Sequence, residues 1–202
     1  MFRFKGINHL AMATGDMNKT IGYWRDLLGM KMVAGLGKRG YKLYFFEIAP
    51  GHNLAFFEWP NVEPVEEKDH GYPVSGPVVF DHVSFGVDND ECLWAIRDRL
   101  EAAGFWVSDM IDHGMIHSVY SFDPNGVPVE FSAEVEGVDM GKTPRLIDSE
   151  PVAAALEGFM PRFDKWPRVV RPTPLEERDI FPGEGVDLVN EEKKNWWKNS
   201  TS

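Results

Sequence analysis

The sequence predicts an α+β fold in which two βαβββ modules are followed by an irregular, proline-rich extension. Three observations carry this prediction: a strand motif that occurs twice, a helical pattern after each copy, and a change of composition near Gly141. Internal repetition of this kind is typical of a duplicated structural unit. The expected segments are a first module, a linker, a second module and an extension, over residues 1–60, 61–77, 78–136 and 137–202.

The repeat begins with two similar strands. Residues 7–14 read Ile-Asn-His-Leu-Ala-Met-Ala-Thr, and residues 80–87 read Phe-Asp-His-Val-Ser-Phe-Gly-Val. In both segments large and small residues alternate after the histidine, as is typical of β-strands. The motif places His9 and His82 at equivalent positions of the two halves.

A helix is predicted after each of these strands. Apolar residues recur at helical spacing over residues 17–28, and Gly29 is suited to end that helix. In the second half, the polar residues 88–90 supply an N-cap, and Gly104 closes the helical pattern. The two halves therefore match beyond their first strands.

Three shorter strands are predicted after each helix. A hairpin turn precedes the last of them in both halves, at residues 50–53 and 123–126. The predicted strands cover residues 31–34, 41–48 and 54–59 in the first half, and 105–107, 117–122 and 127–135 in the second. Both halves thus have the order βαβββ.

Composition excludes several classes of function. The 202 residues hold 21 Lys and Arg against 32 Asp and Glu, a net charge of −11 without a basic patch, so nucleic acid is not an expected partner. Apolar runs stay short of the roughly 18 residues of a membrane-spanning helix, and the first residues lack a signal sequence. The single cysteine, Cys92, excludes an internal disulfide framework, which favours a cytoplasmic location.

Together these motifs resemble the vicinal oxygen chelate superfamily, which includes glyoxalase I, methylmalonyl-CoA epimerase, extradiol dioxygenases, fosfomycin-resistance enzymes and bleomycin-binding proteins. The resemblance covers residues 6–135, and its most specific part is Asp-Pro-Asn-Gly at residues 123–126, followed by Glu130 in the next strand. It implies that the two sheets curl around one metal-binding cleft, which takes a small-molecule substrate. Members of this superfamily often dimerise, so a homodimer is expected.

The resemblance also implies the metal ligands. In the family they come from the first and last strands of the modules, which places His9, His82 and Glu130 at ligand positions. Two histidines and a carboxylate suit Fe(II), the metal we expect, and also Ni, Zn, Mn and Co. Structural roles remain open for all three residues, as hydrogen-bonded core histidines and as a surface glutamate on an edge strand.

A fourth ligand would decide between the chemistries of the family. Glyoxalases and epimerases take a Glu or Gln from the last strand of the first module, but alignment of the repeat sets Ala55 opposite Glu130. Glu58 lies three residues beyond Ala55, so in a regular strand it faces the other side, and only a bulge would bring it in. We therefore expect three protein ligands, with Glu58 as an outside candidate.

Three ligands leave positions on the metal for a chelating substrate and O2. The resemblance then favours an Fe(II) ring-cleaving dioxygenase of the extradiol type, acting on a small aromatic diol. A glyoxalase- or epimerase-type isomerase or lyase is the alternative, in which the metal stabilises an enediolate while a carboxylate moves the proton. A metal-free protein that binds a small aromatic compound, as the bleomycin-binding members do, is the third hypothesis.

Three further residues are candidate catalytic groups. Family dioxygenases carry a tyrosine ten residues before the glutamate ligand, and Tyr120 has that position, although a packing role is equally open. His113 and His117 are candidates for an acid–base role, because imidazole titrates near neutral pH. In an extended segment both would face away from Tyr120. His52 and His70 are expected to be exposed to solvent.

The extension differs from both modules. Prolines interrupt it every few residues, one helix is predicted over residues 149–156, and apolar residues stay frequent. Such a segment is expected to lie across the body of the protein or a partner subunit. Trp196 and Trp197 near its end are candidates for docking.

Overall fold

The computed structural model describes residues 6–37, 40–76, 80–161, 163–165, 167–183, 185–186 and 188. The chain divides into two compact units, residues 1–136 and 137–202. The predicted boundary between linker and second module, at residues 77–78, lies outside the described residues, as do Trp196 and Trp197. Within the described ranges, no helix is both long and apolar enough to cross a membrane.

The first unit begins with one four-stranded sheet and a helix. The elements are β1 (His9–Thr14), α1 (Met17–Ile21), β2 (Lys31–Leu36), β3 (Lys42–Ala49) and β4 (His52–Glu58). The strand order is β1-β4-β3-β2, with β1 parallel to β4 and the other neighbours antiparallel. This is the predicted βαβββ module.

Helix α1 continues as a π-helical segment, Gly22–Leu27, in which the amide of Leu28 donates to the carbonyl of Tyr23. The helix predicted over residues 17–28 is confirmed in position, but its second half is wider than an α-helix. In this wider turn the consecutive residues Tyr23 and Trp24 are both buried.

A second four-stranded sheet follows in the same unit. Its elements are β5 (Val83–Val87), α2 (Asp90–Ala102), β6 (Ile111–Asp112), β7 (Ile116–Phe122) and β8 (Pro128–Glu134). The strand order β5-β8-β7-β6, with β5 parallel to β8, repeats the order of the first sheet. As predicted, the helix begins at an N-cap, where the Asn89 side chain accepts from the amide of Cys92, and Gly104 follows its end with a φ of +83°.

The outer edge of the second sheet differs from the prediction. Instead of a strand over residues 105–107, only Val107 forms an isolated bridge, to Ser121. The Ser108 hydroxyl accepts the amide of Tyr120 at 2.9 Å, so a side chain replaces part of the backbone ladder there. Regular pairing with β7 starts only at β6.

One face of each sheet contributes to a core that the two modules share. The Trp24 ring packs against Phe56 of the first module and Phe85 of the second, with ring centroids 6.1 and 5.4 Å apart. Its Nε1 donates to the buried carboxylate of Asp123 at 3.4 Å. Trp24 therefore joins the two modules by both apolar and polar contacts.

The other face of each sheet carries the predicted ligands. Val129 and Phe131 belong to the core, so Glu130 between them faces the opposite side of β8. His82, directly before β5, contacts Glu130 on that side. In the first module His9 begins β1 and is exposed.

The described residues of the second unit include three short 3-10 turns, Ala155–Glu157, Phe163–Lys165 and Leu175–Glu177. The helix predicted over residues 149–156 is wrong, because only its last two residues belong to the first of these turns. A helix of eight residues is too short to be stable in water without a packing face, whatever its capping residues. The expected packing of the extension on the body or on a partner subunit stays a prediction.

Candidate active site

The register of the strands identifies equivalent positions in the two modules. In the first sheet Ala11 pairs with Ala55, and in the second Ser84 pairs with Glu130. Ala11 lies two residues after His9, and Ser84 lies two residues after His82. Ala55 is therefore the counterpart of Glu130, as the alignment of the repeat predicts.

The second module brings two predicted ligands together. His82 Nε2 lies 3.1 Å from Glu130 Oε2. Two bonds of about 2.1 Å at right angles to one metal ion would put the donor atoms about 3 Å apart. The pair thus has a spacing that suits a divalent metal.

Asp81 holds the His82 ring from the other side. Its Oδ1 lies 2.6 Å from His82 Nδ1. A carboxylate in this position fixes the ring orientation and leaves Nε2 free to act as a ligand. The contacts of Asp81 with His82 and with the linker hold the pKa of the Asp81 carboxyl well below its ordinary value.

Glu130 is buried yet ionised. Burial raises the pKa of its carboxyl, but nearby serine hydroxyls and the Tyr120 hydroxyl lower it by more, so that the pKa lies below its ordinary value. The Tyr120 hydroxyl donates to Glu130 Oε1 at 3.0 Å. The second carboxylate oxygen remains directed at His82. The carboxylate is thus stabilised by the Tyr120 hydroxyl on one oxygen and by the adjacent imidazole on the other.

Tyr120 lies among three imidazole rings. His113 Nε2 is 3.0 Å from its hydroxyl, His82 approaches its ring edge-on at 5.7 Å, and His70 stacks on it at 3.4 Å with an interplanar angle of 2°. Burial first, and then the Glu130 carboxylate, raise the pKa of Tyr120, so the phenol keeps its proton. Because the Tyr120 hydroxyl donates its hydrogen bond to Glu130, its oxygen is left to accept from His113, and two hydrogen bonds in series point toward the carboxylate.

His113 and His117 are separated by the turn between β6 and β7. Gly114, with a φ of +78°, reverses the chain directly after His113 and brings that ring to Tyr120. His117 lies within β7, three residues from Tyr120 and therefore on its other face, where Nδ1 is 2.9 Å from Asp90 of α2. The segment is a hairpin and not a single extended strand, so His113 contacts Tyr120 while His117 lies on the other face of β7.

The three predicted ligands do not meet within one chain. His9 is exposed, its Nδ1 lies 2.9 Å from Asn8 Oδ1, and its ring contacts Phe45 edge-on at 5.8 Å. Among the described residues, no group of three or more His, Cys, Asp or Glu side chains has the geometry to hold a metal ion. His82 and Glu130 lie together, and His9 of the same chain does not join them.

Glu58 has a structural role away from this site. Its Oε1 accepts from the amide of Met17 at the start of α1, and its Oε2 pairs with Lys42. In the strand register of β1 and β4, Glu58 lies opposite Thr14, at the other end of β1 from His9. Lys42 and then the Met17 amide lower the pKa of the Glu58 carboxyl. These contacts place it apart from the candidate ligands.

Two residues of the site are not predicted from the sequence. His70, expected to be exposed, is half-buried against Tyr120, and Asp81 orients His82. An acidic or amide residue before each motif histidine is visible in the sequence and was the available signal for Asp81. No pattern marks His70. His52 is likewise half-buried at the start of β4, with Nδ1 2.5 Å from the carbonyl of Ile7.

Comparison with known proteins agrees with this architecture. The family model of the Glyoxalase/Bleomycin resistance protein/Dioxygenase superfamily matches residues 6–131. A lactoylglutathione lyase of Haemophilus influenzae is 25% identical over 130 residues, which are 62% of this chain and 90% of that protein.

Solved structures are similar in fold at lower sequence identity. A glyoxylase/bleomycin resistance protein/dioxygenase domain from a Frankia species matches with a TM-score of 0.55 at 16% identity, over 66% of this chain and 100% of that one. A glyoxalase/dioxygenase from Nostoc punctiforme matches with a TM-score of 0.51 at 18% identity, over 65% and 92%. The family match covers more than half of the sequence. The chain therefore belongs to the glyoxalase/bleomycin resistance protein/dioxygenase superfamily.

Proposed function

We propose that this chain is a metal-dependent enzyme that acts on a small, oxygen-chelating substrate, most specifically a ring-cleaving dioxygenase of the extradiol type with Fe(II). The observation that carries the proposal is the contrast at the two equivalent last-strand positions, Glu130 beside His82 and Ala55 in the other module. Because only the second module offers a carboxylate, coordination positions on the metal stay open for a chelating substrate and O2. We also propose a cytoplasmic location, which the single cysteine favours.

The third ligand is proposed to come from a second copy of the chain. His9 is exposed on its own sheet face and is oriented by Asn8, as His82 is oriented by Asp81. A two-fold dimer in which His9 of the partner subunit faces His82 and Glu130 would complete two identical sites. This arrangement explains why one chain alone holds only two of the ligands.

A bound divalent ion would draw in the substrate oxygens and lower their pKa. The residues of the chain supply the rest of the environment. Glu130 provides a negative charge, while Tyr120 and His113 hold protons beside it. The corresponding positions of the first module, Phe45 and Ala55, are apolar and suit an aromatic ring.

A lyase of the glyoxalase type is the second candidate, and the similarity to a lactoylglutathione lyase favours it. Nickel or zinc would then be the expected metal. The weakness of this alternative is the missing carboxylate of the first module, since Ala55 has no side-chain oxygen and Glu58 is held by Lys42. It requires a water molecule in place of that carboxylate.

The proposal is tested by activity with defined metals. The protein is loaded anaerobically with Fe(II), and substituted catechols are added with O2 uptake and ring-fission absorbance as readouts. Lactoylglutathione turnover with Ni(II) or Zn(II) is measured in parallel. Catechol cleavage that is lost in Glu130→Gln supports the proposal, and lactoylglutathione turnover alone selects the lyase. Ligand binding that persists in metal-free protein and in His82→Ala would select a metal-free binding protein.

The variant Ala55→Glu separates the two enzymatic candidates. It introduces a carboxylate at the first-module counterpart of Glu130, which in the proposed dimer lies beside the ligand that the partner subunit supplies, and so removes one open position on the metal. Catechol cleavage should fall in this variant, whereas lactoylglutathione turnover should rise. Circular dichroism checks that the larger side chain leaves the fold intact.

A further inference from the structure

The linker is fastened to the residue that orients His82. Lys68 Nζ lies 3.0 Å from Asp81 Oδ2, and the amide of Gly71 donates to both oxygens of the same carboxylate at 3.1 and 3.2 Å. Asp81 Oδ1 also contacts His82 Nδ1 at 2.6 Å. One carboxylate thus serves both the candidate ligand and the linker.

These contacts determine where His70 lies. Lys68 and Gly71 are on either side of it, so fixing both on Asp81 positions the intervening turn. The His70 ring then lies flat on Tyr120 and approaches His82 edge-on at 6.2 Å. Further upstream the linker is held at Val65, whose amide donates to the carbonyl of Asn125 at 2.8 Å.

The first module provides the comparison. There the Asn8 side-chain oxygen contacts His9 Nδ1 at 2.9 Å, while the Asn8 backbone carbonyl accepts from Asn53. An amide can accept from an imidazole as a carboxylate does, but it cannot form an ion pair with a lysine. The ion pair with Lys68 therefore requires a carboxylate at residue 81.

We propose that Asp81 is a positioning residue that couples the candidate metal ligand His82 to the linker, and that this coupling keeps His70 in the wall of the site. The inference rests on the proposed function, since it takes His82 to be a ligand. Its consequence is reciprocal: metal bound at His82 stabilises the linker turn, and a released linker weakens metal binding. Lys68, whose ammonium group donates to Asp81 and to the carbonyl of Asp69, then influences metal affinity through Asp81.

The test uses Co²⁺ alone as the probe and the full-length protein. Co²⁺ affinity is measured by absorbance titration, amide exchange at Gly71 by NMR, and the His70 ring position by the ring-proton resonance that disappears in His70→Gln. The variant Lys68→Met removes the linker contact, and Lys42→Met is the matched control, because Lys42 pairs with a carboxylate outside the site.

In Lys68→Met we expect Co²⁺ affinity to fall by about fivefold or more. Gly71 should exchange faster, and the His70 resonance should lose the upfield shift caused by stacking on Tyr120. Asp81→Asn should lose about 10- to 100-fold in affinity together with the protection of Gly71. In the wild-type protein Co²⁺ should slow exchange at Gly71, and Lys42→Met should behave as wild type in every measurement.

The failure of this inference differs from that of the proposed function. If His82→Ala abolishes Co²⁺ binding but Lys68→Met binds Co²⁺ within twofold of Lys42→Met, the coupling is wrong and the ligand assignment stands. Unchanged Gly71 exchange on adding Co²⁺ also overturns the coupling. If wild type binds Co²⁺ no better than His82→Ala, the ligand assignment fails, and the inference fails with it.

Discussion

The two modules present the same backbone with different side chains at the positions of the candidate site. In both, the residue before the histidine contacts its Nδ1, at 2.9 Å for His9 and 2.6 Å for His82. In both, an aromatic ring on the third strand meets the histidine edge-on, 5.8 Å from His9 and 5.7 Å from His82. The side chains at the remaining positions differ, with Ala11, Phe45 and Ala55 in the first module and Ser84, Tyr120 and Glu130 in the second.

This difference indicates that the polar groups of the second module depend on one another. Burial of the Glu130 carboxylate is tolerated because Tyr120 and neighbouring serines surround it with hydroxyl groups. Ala55 needs no such partners, and Phe45 has no hydroxyl to offer. The contact before each histidine is shared by the two modules, whereas the first module has neither the carboxylate nor the hydroxyl that donates to it, since Ala55 and Phe45 stand at those positions.

The largest expected effect comes from breaking the contact between the modules. Trp24→Ala should lower the free energy of unfolding by about 3–5 kcal/mol, because it leaves a cavity between the two sheets. Urea unfolding followed by circular dichroism measures the loss. Trp94→Ala, at an exposed position of α2, is the control and should stay within about 1 kcal/mol of wild type. Equal stability of both variants would mean that Trp24 does not join the modules.

The second largest effect is expected from Glu130→Ala, which gives the second module the alanine that the first module has at Ala55. Glu130→Ala should lower Co²⁺ affinity by more than about 100-fold, because loss of a ligand exceeds the loss from removing an outer hydrogen-bond partner. The matched control is Glu134→Ala, which removes an exposed carboxylate from the same strand. Comparable Co²⁺ affinities in the two variants would exclude Glu130 as a ligand.

A smaller effect is expected from Tyr120→Phe, which copies Phe45. Loss of the hydroxyl raises the pKa of Glu130, so protons compete better with the metal as pH falls. Co²⁺ affinity should drop by up to about tenfold at low pH, where Glu130 begins to take up a proton, and by less at neutral pH. Tyr41→Phe, in the first module, is the control. A loss that does not depend on pH would point to altered packing instead.

The smallest effect concerns the face of β7 that lies toward α2. Asp90 raises the pKa of His117, so the pair stabilises the fold below the unfolded pKa of about 6.5, and this contribution disappears as pH rises through the folded value. The melting temperature of His117→Gln should therefore fall below that of wild type at low pH and match it at high pH. Asp90→Asn should remove the same pH dependence, and a difference that persists at high pH would contradict the ion pair.

Much of the architecture could be predicted because its causes are local. Alternation in the strands, helical periodicity over residues 17–28 and the Asn89 cap depend on neighbours along the chain, and the folded protein has these elements where the patterns place them. The equivalence of Ala55 and Glu130 follows from counting along a repeat. The prediction of a helix over residues 149–156 was wrong, because a short helix also needs a surface to pack on.

Local pattern thus sufficed for the order of the elements, the duplication and the face of the strand on which each candidate ligand lies. Only the folded chain decided which of those groups meet. His113 reaches Tyr120 through the turn at Gly114, and His70 of the linker stacks on the Tyr120 ring. Alternation assigns a side chain to one face of a strand, but the approach of two faces or of a linker depends on contacts between residues distant in the chain, for which the local sequence has no signal.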